Sequence, residues 1–249
     1  MNIGREVVRL GEVDSTNIYA ERLAENEAPH GTVVIADSQT RGKGRLGRLW
    51  ISPPGGIYMS IILRPRMELK DSTLLTIMAG VACCRALRDV TGLDLEIKWP
   101  NDLIVSGRKL GGILTEVKSR AHRIEFVIIG IGINVNVLSD GLPSEVREIA
   151  TSIRNEMLRE QPKDALILAL LNEVDRWYDI LMEKGGRPVL EEWRKFAAML
   201  GKTVKVTVGK DELVGVAEDI DGQGLLIMRL PSGAVRKISA GDLTILREQ

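Results

Sequence analysis

The sequence predicts an α+β protein that carries a small β-barrel at its C-terminal end. Strand-like and helical segments alternate through the first half, longer helical patterns fill Ser144 to Leu200, and short strands separated by Gly, Asp and Ser turns follow from Gly201. The period of the apolar residues distinguishes helix from strand, and closely spaced short strands favour a barrel. We therefore predict two domains, residues 1–200 and residues 201–249.

The first half opens with a strand, a polar turn and a helix. Val7–Leu10 has strand character, and the run Asp14-Ser15-Thr16-Asn17 consists of residue types that favour helix N-termini, ahead of IYAERLAE. Further strands are predicted at TVVIAD (32–37), GIYMSIIL (56–63), LEIKWPNDLIV (95–105), KLGGILTEV (109–117) and RIEFVIIGIGINVNV (123–137), with a helix at 74–90. Ser106-Gly107 predicts a hairpin turn between two of these strands.

The second half begins with three helical patterns and ends in β-structure. The helices are predicted at SEVREIATSIRNEML (144–158), DALILALLNEVDRWYDILMEK (164–184) and PVLEEWRKFAAML (188–200), the last with proline at its start. The short strands are TVKVTV (203–208), LVGVAEDI (213–220), GLLIMRL (224–230) and AVRKIS (234–239). This change of pattern places the domain boundary near Leu200.

The composition excludes several classes of function. Lys plus Arg and Asp plus Glu are both 34, so the net charge is zero and no overall field attracts nucleic acid or an anionic membrane. The only cysteines, Cys83 and Cys84, are adjacent in an apolar segment, which suits a reducing compartment and offers no metal-ligand spacing. Neither a signal peptide nor a run of about 18 apolar residues is visible. We expect a cytoplasmic location.

A basic, glycine-rich segment, QTRGKGRLGRLW (39–50), is the most informative motif. It places Arg41, Lys43, Arg45 and Arg48 among three glycines, and such a loop can fold over an anion because glycine allows close backbone approach while the cations donate charge-assisted hydrogen bonds. A solvated basic turn explains the composition about equally well.

The three glycines of this segment also match the dinucleotide fingerprint G-x-G-x-x-G after a strand. That motif must open a helix whose N-terminus binds pyrophosphate. Here the continuation is LWISPPGGIY, in which two prolines and two glycines oppose a helix. We therefore reject a dinucleotide site.

The segment KWPND (98–102) is a second candidate. An apolar strand delivers Lys98 and then breaks at Pro100, and core packing with a turn cap is the simpler reading of the four residues that follow the lysine. Lys98 favours function, because a lysine within an apolar strand is costly to bury unless it faces an anion.

Two further segments, KLGGILTE (109–116) and GIGINVN (130–136), combine apolar strand with glycines that would let a ligand approach the backbone. Either alone is more often a bulge or a packing feature.

Taken together and in order, DSTN, QTRGKGRLGRLW, KWPND, RKLGGILTE and GIGINVN resemble the biotin protein ligase family, from Asp14 to Asn136. Each motif is weak alone, and the set is specific. The resemblance implies a mixed central sheet with flanking helices, similar to class II aminoacyl-tRNA synthetases, and an SH3-like C-terminal domain. It matches a stand-alone ligase that lacks the N-terminal DNA-binding domain of some relatives.

The resemblance also implies roles for particular residues. The biotin-binding residues would be Ser15, Thr16, Asn17, Gln39, Lys43, Gly44, Arg45 and Lys98. The ATP-binding residues would be Arg48, Trp50, Asn101, Asp102, Lys109 and Asn134. Lys98, Arg45 and Arg48 would be catalytic, and the metal ligands stay unassigned. One departure is Lys43, where many relatives have arginine, so the charge is kept but bidentate geometry is lost.

The residue types suit the chemistry that the resemblance implies. A carboxylate must be activated, so biotin attacks the α-phosphate of ATP to give biotinyl-5′-AMP, and cations together with Mg²⁺ offset the repulsion between two anions. The implied partner is a biotin carboxyl carrier protein or domain, whose lysine receives biotin. Family members often dimerise, so a homodimer is an option, although the sequence shows no interface.

Three alternatives remain at this point. A lipoate ligase shares the adenylation chemistry but needs a longer apolar tunnel. A biotin-sensing DNA-binding repressor needs a helix-turn-helix domain, and only thirteen residues precede Asp14, so we expect no DNA partner. An RNA-binding module would interleave aromatic residues with the cations, whereas Trp50 is the single aromatic residue of the loop.

Overall fold

A computed structural model describes residues 2–138 and 142–246. Its main element is a mixed seven-stranded sheet in the order β1-β2-β3-β7-β6-β5-β4. The strands are β1 (Val7–Val13), β2 (Val33–Gln39), β3 (Ile57–Leu63), β4 (Leu95–Lys98), β5 (Asp102–Val105), β6 (Arg108–Arg120) and β7 (Arg123–Ile133). β1 and β2 are parallel and the other neighbours are antiparallel. The predicted α+β class with a mixed sheet is confirmed.

Helices cover both faces of this sheet. They are α1 (Thr16–Glu25), α2 (Thr73–Thr91), α3 (Ser144–Arg147), α4 (Ile153–Met157), α5 (Lys163–Lys184) and α6 (Gly186–Phe196). α1 packs with Val34 and Ile62, whereas α2 and α5 share a core with Val33 and Ile61, and successive strand residues face opposite sides. α1 therefore covers one face, and α2 covers the other with α5 and α6 packed against it.

The C-terminal part forms a second, fully antiparallel sheet of five strands in the order β11-β10-β9-β8-β12. The strands are β8 (Thr203–Val208), β9 (Asp211–Ile220), β10 (Leu226–Arg229), β11 (Val235–Ile238) and β12 (Asp242–Ile245). The small β unit is thus confirmed, with β12 as a strand that the sequence did not predict. The domain boundary near Leu200 stays a prediction, and the outer limits at Met1 and Gln249 lie outside the described residues.

The two sheets share one continuous core. Buried side chains of the second sheet, among them Val204 and Leu226, belong to the same apolar cluster as α2. The Trp99 indole N–H donates to the carbonyl of Gly224 at 3.1 Å, and Arg194 pairs with Asp219 at 2.6 Å. The second sheet is therefore packed onto the first.

The structure differs from two of the predicted helices. Residues 144–158 form two short helices separated by an extended segment, because Lys109 N–H donates to Ile149 O and Thr151 N–H donates to Lys109 O, both at 2.8 Å. The last predicted helix ends at Phe196, and Ala198 N–H donates to Ile97 O at 2.9 Å. Pairing with strand ends outweighs helical periodicity in both places.

The structure also bears on two expectations from the composition, those on membrane spans and on the two cysteines. No helix in the described ranges is long and apolar enough to pass through a bilayer. Cys83 and Cys84 are buried free thiols in α2, and burial raises the pKa of Cys83 to about 12, which keeps this thiol protonated and unreactive.

The shared core predicts that the two sheets unfold together. Leu226→Ala removes a fully buried side chain of the second sheet, and we expect it to lower the free energy of unfolding by about 2–5 kcal/mol in a single transition. Val235→Ala, at a half-exposed position of the same sheet, should change stability by roughly 0.5 kcal/mol or less. Scanning calorimetry tests this, and two separate transitions would contradict it.

Candidate active site

A cavity of about 310 Å³ lies where the start of α1, the basic loop (residues 39–52), the turn between β4 and β5, and the strands β6 and β7 meet. Nearly all of the residues singled out from the sequence line it. They are Ser15, Thr16, Asn17, Gln39, Lys43, Gly44, Arg45, Arg48, Trp50, Lys98, Asn101, Asp102 and Lys109. Segments that are far apart in the sequence therefore form one site, while the role of each residue stays a proposal.

One end of the cavity is lined by buried polar side chains. Ser15, Thr16 and Asn17 are at most 5% exposed. Ser15 occupies the N-cap position of α1 but its side chain makes no capping hydrogen bond. Thr16 instead donates from its N–H to Gln39 Oε1 at 2.8 Å. The residues Ser15, Thr16 and Asn17 of the predicted N-cap cluster therefore mainly line the cavity.

Two lysines that line the cavity share one carboxylate. Lys98 Nζ lies 3.1 Å from Asp102 and Lys109 Nζ lies 2.6 Å from it. Burial acts to raise the pKa of Asp102, but the charges and hydrogen bonds of Lys109 and Lys98 outweigh it and hold that pKa below its ordinary value. The sequence predicted that Lys98 faces an anion, and within this chain that anion is Asp102.

The basic loop folds back on itself. Trp50 N–H donates to Gly42 O at 2.9 Å and Gly44 N–H donates to Arg48 O at 2.8 Å. Its centre is one turn of 3-10 helix at Arg45–Gly47, which does not continue as an α-helix. This geometry agrees with the rejection of a dinucleotide site, since that motif needs a helix N-terminus.

The second sheet supplies a wall that sequence reasoning missed. Arg45 donates to Asn101 Oδ1 at 3.1 Å and to Gly241 O at 3.3 Å, and Arg48 forms a salt bridge with Asp242. Residues 241–244 line the cavity. Burial lowers the pKa of Arg45, against the opposing charges of Asp242 and Asp102, yet an arginine remains protonated near neutrality.

Glycines of β6 and β7 make room beside the cavity. A Cβ atom at Gly130 would lie 2.1 Å from Asn17 Oδ1, and one at Gly132 would lie 2.6 Å from Trp50 Nε1. At Gly112 the nearest atoms would be 3.6 Å away. The buried Trp50 Nε1 has no hydrogen-bond partner among the described residues.

Asn134 is the predicted site residue that the structure places elsewhere. It is buried outside the cavity lining, and its Nδ2 donates to Thr151 O at 3.0 Å while Ile153 N–H donates to its carbonyl at 2.9 Å. Asn134 therefore holds the segment that precedes α4 against the end of β7. The expectation that Asn134 binds ATP stays a prediction, although its amide N–H already bonds to the backbone.

Family comparisons agree with this site. Residues 10–134 match the biotin/lipoate A/B protein ligase family, and residues 199–243 match the biotin protein ligase C-terminal domain. The bifunctional ligase/repressor BirA of Bacillus subtilis is 35% identical over 244 residues, with 98% of this chain and 75% of that protein covered. The biotin--[acetyl-CoA-carboxylase] ligase of Paracoccus denitrificans is 32% identical, with 90% and 94% covered.

Solved structures are similar over nearly the whole chain. The biotin protein ligase of Aquifex aeolicus in complex with biotin and ATP has a TM-score of 0.84 at 29% identity, and the match covers 98% of this chain and 100% of that one. The biotin protein ligase of Leishmania major in complex with biotinyl-5-AMP has a TM-score of 0.65 at 26% identity, with 95% and 99% covered. The likeness therefore includes both sheets.

The shared carboxylate predicts a pH-dependent loss of stability. Asp102→Asn removes the anion between two lysines, and we expect it to lower the free energy of unfolding at pH 7 by about 1–3 kcal/mol. Because the folded-state pKa of Asp102 is lowered, this contribution is complete above the ordinary pKa of 3.8 and is lost as pH falls through the folded value. Urea unfolding at pH 7, 5 and 3 measures it. A difference that grows towards pH 3 would contradict the assignment, and Asp89→Asn, on the exposed end of α2, is the control.

Proposed function

The chain belongs to the biotin protein ligase family, and we propose that its cavity activates biotin with ATP and transfers it to a lysine of a carrier protein. One observation carries the proposal: a buried polar end and a cluster of cations lie in a single cavity of about 310 Å³. Such a site can hold a neutral polar ring at one end and bring a carboxylate and a phosphate together at the other.

The buried polar end favours biotin over lipoate. The ureido ring of biotin offers two N–H donors and a carbonyl acceptor, which match the hydroxyl and amide groups of Thr16, Asn17 and Gln39. A dithiolane ring offers no comparable donors or acceptors, so it would gain no hydrogen bond from these side chains. The relatives reported above are named for biotin, which supports the same choice.

The first step joins two anions. The biotin carboxylate oxygen attacks the α-phosphorus of ATP, the new P–O bond forms, and the bond to the β-phosphate oxygen breaks to release pyrophosphate. Lys98 and Lys109 line the cavity and would neutralise the carboxylate and the α-phosphate, while Arg45 and Arg48 would stabilise the phosphates. Trp50 lines the cavity and would contact the nucleotide with its ring.

Mg²⁺ fits the carboxylates that line the cavity. Mg²⁺ usually binds one or two carboxylates together with substrate phosphates, and Asp102 and Asp242 are available for this when nucleotide draws their lysine and arginine partners away. When bound, the ion would neutralise charge on the phosphates. Among residues 2–138 and 142–246 there is no cluster of three potential His, Cys, Asp or Glu ligands, so the site would be completed by ATP.

The second step forms an amide. The carrier lysine, as the neutral amine, attacks the acyl carbon of biotinyl-5′-AMP, AMP leaves with the electron pair of the broken C–O bond, and the amine proton is lost to solvent. The implied carrier is a biotin carboxyl carrier protein or domain, and the Paracoccus relative is named for acetyl-CoA carboxylase. The homodimer and the cytoplasmic location that the sequence suggested stay predictions.

A direct test combines the purified chain with ATP, Mg²⁺, biotin and a carrier domain. We expect pyrophosphate release that depends on biotin and a mass increase of one biotin on one carrier lysine. Release that depends on lipoate and not on biotin would support the alternative ligase, and release with neither acid would reject acid activation altogether.

Lys98→Ala should fold normally but lose adenylation. Lys98 would neutralise the biotin carboxylate, and removal of one such stabilising charge should lower the rate of adenylation by roughly 10²–10³. Pyrophosphate exchange measures the loss, with Lys195→Ala on α6 as the control. Exchange within a few-fold of the unmodified chain would contradict the role of Lys98.

Arg45→Gly, or Lys43→Gly with Arg45→Gly, should weaken retention of biotinyl-adenylate more than its formation. Arg45 connects the basic loop to Asn101 and to Gly241 of the second sheet, so its loss should open the cavity. Loss of one charge-assisted hydrogen bond of about 1.5–3 kcal/mol should speed adenylate escape by about tenfold to a hundredfold.

Escaped adenylate should then acylate bystander lysines. The measurement is biotin blotting of an unrelated lysine-rich protein alongside pyrophosphate release. Equal bystander labelling by the variant and the unmodified chain, with adenylation intact in both, would remove the retention role.

A further inference from the structure

Glu116 connects the two parts of the site, although the sequence did not single it out. It lies in β6 beside the basic loop, about one-third exposed, and accepts a hydrogen bond from Asn17 Nδ2 at 2.7 Å. Its other carboxylate oxygen forms a short salt bridge with Lys43 of the basic loop. One side chain therefore contacts both the polar end of the cavity and the loop that covers it.

Further hydrogen bonds connect the polar end of the cavity to the second half of the basic loop. Ser60 Oγ lies 2.6 Å from Asn17 Oδ1 and 2.8 Å from Thr16 Oγ1. Thr16 bonds to Gln39, Gln39 Nε2 donates to Ser52 Oγ at 2.8 Å, and Ser52 donates to the carbonyl of Trp50. A continuous series of polar contacts therefore connects Lys43, in the first half of the basic loop, with Trp50, in its second half.

The carboxylate of Glu116 fixes the orientation of the Asn17 amide. An ionised carboxylate accepts hydrogen bonds and donates none, so Asn17 must direct its NH₂ group to Glu116 and its Oδ1 to Ser60. The amide is also confined sterically, because a Cβ atom at Gly130 would already collide with Oδ1. Asn17 is 5% exposed, so an error in its orientation would leave buried groups unpaired.

We propose that Glu116 is a positioning residue that couples occupation of the polar end to closure of the basic loop. This inference rests on the proposed function. A ligand that hydrogen-bonds to Thr16 or Asn17 stabilises the orientation in which the Asn17 amide donates to Glu116. Glu116 is then fixed in the position in which it forms the salt bridge with Lys43. The ligand thereby favours the closed loop, and a closed loop favours the ligand by the same factor, since coupling between two binding equilibria is reciprocal.

The test measures loop closure directly. When the loop is open, trypsin cleaves it after Arg41, Lys43, Arg45 and Arg48, and we expect biotin alone to slow this cleavage in the unmodified chain. Cleavage is scored at the three arginines, because Lys43→Gln removes the fourth site. Glu116→Gln keeps the shape and an acceptor for Asn17 but loses the charge that holds Lys43. It should lose most of the protection by biotin, and its biotin dissociation constant should rise by about fivefold or more, the lower end of typical coupling.

The pair is isolated by a double-mutant cycle. Lys43→Gln should reproduce the loss of protection, and Glu116→Gln should add little in that background, because the interaction is then already absent. Glu125→Gln is the matched control, since Glu125 lies on β7 in an ion pair with Arg120 and does not line the cavity. It should leave both the protection and the biotin affinity unchanged.

Each outcome has a separate meaning. Full protection by biotin in a folded Glu116→Gln chain overturns the inference, while biotin-dependent pyrophosphate release in the same chain leaves the proposed function standing. Independent effects of the two substitutions also overturn it. If Glu116→Gln unfolds by circular dichroism, Lys43→Gln decides, because retained protection there contradicts the coupling. Failure of the unmodified chain to release pyrophosphate with biotin would instead reject the proposed function.

Discussion

Repulsion between neighbouring cations is the constraint on which the rest of this structure depends. A cavity that will hold a carboxylate beside a phosphate needs several positive charges, and these charges must be stable near one another before substrate arrives. Like charges held close together destabilise a fold unless opposite charges offset them. Here Asp102 pairs with Lys98 and Lys109, and Asp242 pairs with Arg48. The carboxylates balance the charge of these cations, and substrate anions can take the place of the carboxylates.

These carboxylates come from separate parts of the chain, which the packing of the second sheet onto the first brings together. Asp102 begins β5, whereas Asp242 begins β12 in the C-terminal sheet. Arg48 meets Asp242 where a continuous core and the Trp99–Gly224 hydrogen bond hold the two sheets together. The C-terminal sheet is thus part of the electrostatic balance of the cavity as well as of the core.

The sequence predicted those features that depend on local pattern. Apolar period and turn residues located most strands and the long helices α2 and α5, and the motif set brought nearly all cavity residues together. The features it missed depend on contacts between distant segments. The helix predicted at 144–158 is interrupted because its backbone pairs with Lys109. In the sequence, Asp242 and Glu116 cannot be distinguished from ordinary surface carboxylates, because only folding places them beside cations. The backbone group to which the Asn134 amide donates cannot be recognised from the sequence either.

The glycine motifs show a further limit of sequence reasoning. Glycine within a strand indicates that some atom approaches the backbone closely, and the motif does not say whether that atom belongs to a ligand or to the protein. At Gly130 the space is taken by Asn17, and at Gly132 it is taken by Trp50, whereas at Gly112 the space faces the cavity. Two of these glycines therefore seat side chains that in turn line the cavity. These two glycines therefore affect the proposed substrate contacts only indirectly, because a Cβ atom at either position would first displace the Asn17 amide or the Trp50 indole.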